Sequence, residues 1–227
     1  MTALLRLQGE SLSQRASKAI RQAIFQGVLT PGAPLRELSL SRELGTSQAV
    51  IREALLRLEN EGLVERSANR GTRVVNLTGD EVRDRLEVRL LLETEAAHRA
   101  ARRLDDQGWS ALDGLLSDLQ DAAAEGDPYR CAQADLALHR AIWGACGNRA
   151  LIAALEGATV PLFAFASIVR REAGIGALAS LHQDLVAALR TARRKTIADA
   201  LQRHVMPAYG AFLESGAPDL GVLLARP

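Results

Sequence analysis

The chain has 227 residues, of which 48% are hydrophobic and 4% aromatic, and its formal net charge is +1. This hydrophobic content is ample for a core, and the scarcity of aromatic residues favours Leu- and Ala-rich helical packing over a β-sandwich. The near-zero charge excludes a protein that is basic throughout. Residues 1–76 nevertheless contain more Arg and Lys than Glu, and no Asp, which indicates a nucleic-acid-binding module joined to a neutral-to-acidic body.

The sequence also argues against a membrane or secreted protein. It contains no run of 18 apolar residues, and its first ten residues lack the basic segment and apolar core of a signal peptide. Cys131 and Cys146 are predicted about four turns apart on one helix face, too far for a disulfide between them. We therefore expect two buried thiols and a cytoplasmic protein.

Residues 11–76 predict three helices and a two-stranded hairpin. After a first amphipathic helix, a short helix is predicted over 37–44. Ser47 is a candidate N-cap for a third helix over 48–61, which Gly62 ends. Two helices joined by a short turn that contains Gly are typical of a helix-turn-helix. The segment LVERSANRGTRVVNL predicts two short strands, which complete a winged helix-turn-helix.

The run LSLSRELGTSQAVIREALLRLENEGLVERSANRGTRV closely resembles the DNA-binding domain of GntR-family transcription regulators, and the resemblance extends over about 12–76. The family commonly begins its recognition helix with Ser-Arg-Thr-Pro-Val-Arg-Glu-Ala-Leu. This chain has Gln48 and Ala49 in place of the Arg and Thr. Because Gln pairs with adenine whereas Arg prefers guanine, we expect a base preference that departs from the family's.

Candidate DNA-binding residues follow from this motif. The first residues of a recognition helix reach base edges in the major groove, and the positive end of the helix faces phosphate. Ser47, Gln48 and Arg52 are therefore expected at the bases. The candidates for contact with phosphates or the minor groove are Arg36 and the wing residues Asn69, Arg70 and Arg73.

From residue 77 the chain predicts helices only, over 79–103, 106–125, 127–146, 148–171, 177–192 and 194–215. Thr78 and Glu81 form a predicted capping box at the start of the first. The expected fold is therefore mainly α. It comprises a winged helix-turn-helix over 1–76 and an all-helical domain over 77–227.

Four polar residues lie in otherwise apolar helix faces of this second domain: Asp135, His139, His182 and His204. Burying such groups costs several kcal/mol unless they are paired or bound to a metal. Each alone is ordinarily a satisfied core residue, but three imidazoles and a carboxylate together suit a divalent transition metal, with Zn preferred and Ni, Mn or Fe as alternatives. His98 lies opposite the apolar stripe of its helix, so we expect it to be solvated.

Arg89 and Glu93 are spaced i,i+4 within the apolar stripe of the first helix of this domain. One interpretation is a buried structural ion pair. The alternative is that Arg89 faces a cavity and binds an anionic ligand through its fork of donors. The sequence leaves both open.

The second domain is similar to the all-helical effector-binding domain of FadR-like GntR regulators over about 80–215. In that subfamily an Asp-x-x-x-His on one helix and two later histidines hold a metal, and the matching residues are the four named above. Asn148 matches a family position beside the pocket, although an N-cap role explains it equally well.

We therefore expect a homodimeric, metal-containing regulator, most simply a repressor, that binds a near-palindromic operator and responds to a small organic acid. One alternative is an enzyme in which the metal activates water. Another is a regulator whose metal is purely structural. No acid, base or nucleophile set accompanies the metal residues beyond Arg89 and Glu93, and a DNA-binding head would be unexplained in an enzyme.

Overall fold

A computed structural model describes residues 10–67, 71–169 and 176–209. Over these residues the fold is mainly helical, as the sequence predicts. The head contains α1 (Leu12–Phe25), α2 (Glu37–Glu43), α3 (Gln48–Asn60), β1 (Val64–Ser67) and β2 (Gly71–Val74). The body contains α4 (Gly79–Ala101), α5 (Asp106–Glu125), α6 (Pro128–Ala145), α7 (Arg149–Val169), α8 (Gly176–Arg190) and α9 (Arg194–Val205).

The helix-turn-helix of the head is built from α2 and α3. Ser47 is the N-cap of α3, because its side-chain oxygen accepts a hydrogen bond from the Val50 amide at 3.3 Å. Gly45 lies in the preceding turn with φ +61°, a left-handed conformation that favours glycine. β1 and β2 pair antiparallel, and residues 32–35 hydrogen-bond to β2 to widen the wing. The recognition helix and the wing are thereby fixed on one small core.

The connection from the wing to α4 is short and anchored at both ends. Val75 and Leu77 are buried in the core of the body. Thr78 then caps α4 in a capping box, in which its amide donates to Glu81 Oε2 at 2.8 Å and its hydroxyl accepts from the Glu81 amide at 3.3 Å. The start of α4 is therefore tied closely to the wing.

The buried apolar residues form two clusters. One fills the interior of the body. The other begins on α1, α3 and the wing and continues into the body through residues that include Leu136 and Trp143 of α6 and Val160 and Phe163 of α7. We call this second cluster the shared core, because the head and the body both contribute to it.

The turn that follows α3 also contacts the body directly. Gly62 has φ +72°, and a Cβ built on it would lie 2.5 Å from Cγ of Pro161 in α7. Both the backbone conformation and this neighbour therefore favour glycine at position 62. The contact joins the end of the recognition helix to the body.

Within the described residues, the predicted body helices agree with the structure to within two residues at each end, except the last. Residues 170 and 171 of the helix predicted over 148–171 lie outside the described residues. That helix ends at Val205 instead of continuing to 215, and a 3-10 turn follows over Met206–Ala208. Pro207 explains the end, since proline lacks the amide hydrogen that would continue the helical hydrogen-bond pattern, while Met206 before it keeps helical backbone angles (φ -59°, ψ -43°). Residues 210–215 of the predicted helix lie outside the described residues.

Two other expectations concern exposure. His98 is half-buried, which corrects the expectation that it is solvated; α4 packs on more than one side, and Thr94 one turn earlier is buried. Cys131 and Cys146 are buried free thiols, as expected.

Among the described residues, every helix is too short or too polar to cross a membrane.

Gly62→Ala should lower the free energy of unfolding more than Gly45→Ala. Both residues have positive φ, where an L side chain costs about 1–2 kcal/mol. A Cβ at Gly45 meets no atom within 4 Å, whereas one at Gly62 meets Pro161. This overpacking should add about 1–3 kcal/mol, measured by urea unfolding of both variants. Equal losses would contradict a tight contact between head and body.

Candidate metal centre and DNA-binding surface

Four buried side chains from three helices converge inside the body. Asp135 and His139 lie on α6, His182 on α8 and His204 on α9, and one ligand atom of each lies within 4.8 Å of the others. His182 Nε2 is 2.8 Å from Asp135 Oδ1. His139 Nε2 is 3.0 Å from His204 Nε2 and 3.4 Å from Asp135 Oδ1. The structure thus brings together the four residues that the sequence selects as metal ligands.

A buried carboxylate from α4 orients one of these imidazoles. Glu93 Oε1 lies 2.5 Å from His139 Nδ1 and also accepts a hydrogen bond from Trp143 Nε1 at 2.9 Å. Because an ionised carboxylate can only accept, His139 Nδ1 carries the proton and donates it. The other ring nitrogen, His139 Nε2, faces His204 and Asp135. Carboxylates commonly orient ligating histidines in this way.

The electrostatic environment favours the metal-binding forms of this cluster. Burial by itself raises the pKa of the Asp135 carboxyl, but the charge and hydrogen bond of His182 lower it on balance to about 2. Burial, together with the charges of His182 and His139, holds the pKa of His204 well below its usual value. Near neutral pH these two residues are therefore a carboxylate and a neutral imidazole, the states that bind metal ions.

The donor set fits a divalent transition metal. Atoms that bind one ion at about 2.0–2.2 Å lie roughly 3–3.5 Å from their neighbouring ligand atoms, close to the separations given above. Imidazole nitrogens combined with a carboxylate oxygen suit Zn, Ni, Mn or Fe. His204 Nδ1 is buried and lacks a hydrogen-bond partner among the described residues, so packing and the contact of its Nε2 with His139 orient this ring. The cluster could therefore accept an ion with little rearrangement.

Arg89 adds a buried cation beside this cluster. Its Nε donates to Glu93 Oε2 at 2.8 Å, and its guanidinium carbon lies 4.7 Å from the centre of the Phe163 ring. Burial lowers the pKa of Arg89, but the charge and hydrogen bond of Glu93, together with the charges of Tyr209 and Asp135, raise it on balance. Arg89 Nη2 is buried with no hydrogen-bond partner among the described residues. The guanidinium therefore remains charged and keeps a donor available.

Asn148 lies at the start of α7, where it is half-buried. Its side-chain oxygen accepts hydrogen bonds from the amides of Ala150 and Leu151, both at 3.1 Å. This is the N-cap role that the sequence offers as one of two explanations. Its effector-binding role stays a prediction.

The candidate base-reading residues lie together on the exposed start of α3. Ser47, Gln48 and Arg52 are all exposed, and Arg52 forms a bidentate ion pair with Glu37 of α2. The remaining candidates are placed as follows: Arg36 is exposed immediately before α2, Arg73 is half-buried on β2, and Asn69 and Arg70 lie outside the described residues.

Sequence reasoning missed three partners in these sites. Trp143 carried a local signal, because it lies one turn after His139 on the same face of α6. Phe163 and Glu37 carried none, since their contacts depend on how α7 packs against α4 and α2 against α3. Glu93 was expected only as the partner of Arg89, and its bond to His139 joins residues 46 positions apart.

Comparison with known protein families covers both parts of the chain. Residues 3–74 match "Bacterial regulatory proteins, gntR family". Residues 84–206 match the "FCD domain" and include the four clustered residues, Arg89 and Glu93. The second match alone spans more than half of the chain.

Individual relatives extend over most of the sequence. The chain is 28% identical over 200 residues to the "Probable D-xylose utilization operon transcriptional repressor" of Paenarthrobacter nicotinovorans, covering 88% of each chain. It is 32% identical over 174 residues to the "Glc operon transcriptional activator" of Escherichia coli (strain K12), covering 67% of this chain and 68% of that one. The solved structure "E. coli McbR/YncC" has the same fold, with TM-score 0.74 and 22% identity, covering 91% of this chain and 99% of that one.

Glu93→Ala should destabilise the protein far more than Glu95→Ala. The first change leaves Arg89 as an uncompensated buried charge and removes the acceptor of His139 and Trp143, which should cost about 3–5 kcal/mol. Glu95, on the same helix, pairs with arginines near the surface, and its loss should cost at most about 1 kcal/mol. Urea unfolding of both variants measures the difference. A similar loss for the two would mean that Glu93 does not hold the cluster together.

Proposed function

The chain belongs to the GntR family of bacterial regulatory proteins and carries an FCD domain, and we propose that it is a ligand-responsive repressor that senses a small organic acid at a metal site. The observation that carries this proposal is the position of Arg89. Its buried, charged guanidinium has an unused donor beside the cluster of three histidines and an aspartate, where a carboxylate would find a partner. We place the boundary between the two domains at residues 76 and 77.

On this proposal, Asp135, His139, His182 and His204 hold a divalent transition metal, most simply Zn. The ion would supply positive charge and an open coordination position for a carboxylate. Glu93 keeps the His139 ring in its metal-facing orientation, and Arg89 pairs with the bound acid. Asn148 would contribute from the start of α7.

Signal transfer to the head would use the shared core. Arg89 lies against Phe163, which belongs to the shared core, and Pro161 one half-turn earlier contacts Gly62 after the recognition helix. An anion that repositions Arg89 would therefore change the packing of α7 against the head. The ligand shifts the equilibrium between head arrangements only to the extent that it binds one of them more tightly.

The protein would bind DNA as a homodimer, with two heads on a near-palindromic operator. Val88 and Leu91 of α4 are large apolar residues that remain partly exposed and are candidates for the dimer contact. Ser47, Gln48 and Arg52 would reach the bases. Arg36, Asn69, Arg70 and Arg73 would contact phosphates or the minor groove.

The metal site predicts about one divalent ion per chain in protein purified without chelator, measured by elemental mass spectrometry. His204→Ala should lose the ion because it removes one of four ligands, whereas His98→Ala, outside the cluster, should retain it. Removal of the ion by chelation should mainly reduce affinity for the acid. Loss of the helical circular dichroism signal on chelation would instead favour a purely structural metal, and a metal-free wild type would refute the site.

The ligand site predicts that Arg89→Ala loses its response to carboxylates while it still binds DNA. Its stability should fall as well, because Glu93 loses its cation and keeps only the hydrogen bonds of His139 and Trp143. Loss of a charged hydrogen bond should weaken binding of the acid to which the wild type responds by about 1.5–3 kcal/mol, or roughly 10- to 150-fold. The experiment titrates a duplex selected from a random library with a panel of mono- and dicarboxylates. Arg99→Ala, which removes a surface arginine from the same helix, is the matched control. An unchanged response in Arg89→Ala would leave this arginine as a structural residue only.

A further inference from the structure

The ion pair between Arg52 and Glu37 links the two helices of the helix-turn-helix on the side that carries the candidate base-reading residues. Arg52 Nε donates to Glu37 Oε1 at 3.1 Å, and Arg52 Nη2 donates to Glu37 Oε2 at 2.8 Å. The Arg52 side chain is 58% exposed, whereas that of Glu37 is 26% exposed. The guanidinium therefore faces solvent while its partner lies closer to the protein.

The geometry of this pair leaves one edge of the guanidinium available. A guanidinium has five N–H donors in a fixed planar fork. Glu37 occupies the edge formed by Nε and Nη2. The outer edge formed by Nη1 and Nη2 therefore keeps donors that Glu37 does not use, on a side chain that is 58% exposed. An arginine uses such a fork to bind O6 and N7 of guanine in the major groove.

We propose that Glu37 is a specificity-determining residue that positions Arg52 for base reading; this rests on the DNA-binding function proposed above. A free arginine side chain loses rotamer entropy when it is fixed against one base edge. Glu37 fixes Arg52 before DNA arrives, and it does so in the plane that sets the direction of the outer donors. Glu37 is thus a positioning residue, and Arg52 is the residue that touches the base.

This role has a signature that an ordinary surface ion pair lacks. A carboxylate near DNA repels phosphate, so its removal leaves non-specific affinity unchanged or raises it. If Glu37 also positions Arg52, its removal lowers discrimination between base pairs at the same time. Affinity for non-specific DNA and discrimination at one base pair should therefore change independently.

Glu53 provides a matched control on the recognition helix itself. It pairs with Arg57 at 2.9 Å, and both of these side chains are about half exposed. Glu53→Gln and Glu37→Gln each remove one negative charge from the head. Only Glu37→Gln removes the ion pair that positions Arg52.

The test first selects duplexes from a randomised library with the wild-type chain. Affinities are then measured at one salt concentration for the selected duplex, for its single-base-pair variants and for an unrelated duplex. Glu37→Gln should lose roughly 5- to 100-fold of discrimination at one base pair in each half-site, with non-specific affinity equal to or above wild type. Arg52→Ala should lose discrimination at the same base pair, and Glu37→Gln should add nothing to it. Glu53→Gln should discriminate like wild type.

Two results would overturn the inference while leaving DNA recognition intact: discrimination by Glu37→Gln equal to wild type, or an unchanged motif for Arg52→Ala. Loss of discrimination by Glu53→Gln to the same extent would also overturn it, because charge alone would then be responsible. Selection of no motif by the wild type would refute the proposed function itself. Circular dichroism of each variant verifies that its helices form.

Discussion

The buried carboxylate of Glu93 is the constraint on which the arrangement of the body depends. It accepts hydrogen bonds from Arg89 on its own helix and from His139 and Trp143 on α6, so one side chain connects two helices through three donors. Burial by itself raises its pKa, but the charges of Arg89 and His139 hold that pKa well below its usual range, so the group stays ionised. A buried charge of this kind is tolerated only when it is fully paired. Its position therefore fixes the cation beside the cluster and the orientation of one imidazole within it.

The same polar network reaches the head at two points. Trp143 donates to Glu93 and packs in the shared core, and Phe163 lies under the guanidinium of Arg89 in that same core. Close-packed interiors transmit small displacements because they contain little free space. A change at Arg89 thus has a short physical route to the contact between Pro161 and Gly62, which follows the recognition helix.

Features that depend only on neighbouring residues, such as helix faces and helix caps, could be predicted from the sequence. Period 3.6 places Asp135, His139, His182 and His204 on inward faces, and the structure brings them together. Caps such as Ser47 and Thr78 follow from adjacent residues and occur where predicted. The link from Glu93 to His139 and the pair of Arg52 with Glu37 could not be predicted, because each joins separate helices whose relative orientation comes from packing. The early end of α9 was foreseeable from Pro207, which the periodic pattern alone overlooks.

Charge balance relates the proposed metal to the proposed acid. Histidines that bind a metal are neutral, so the charged groups buried here are Arg89, Glu93 and Asp135. Together they carry one net negative charge. A divalent ion would convert this to one net positive charge, and a monocarboxylate would then bring the cluster to neutrality. Unbalanced charge is costly in a protein interior. The bound metal ion would therefore lower the cost of burying the carboxylate, and the carboxylate that of burying the ion. Their coupling would be reciprocal, as linkage requires. The cluster would then favour an acid only in its metal-loaded state. A response of the head would therefore require both the metal and the acid.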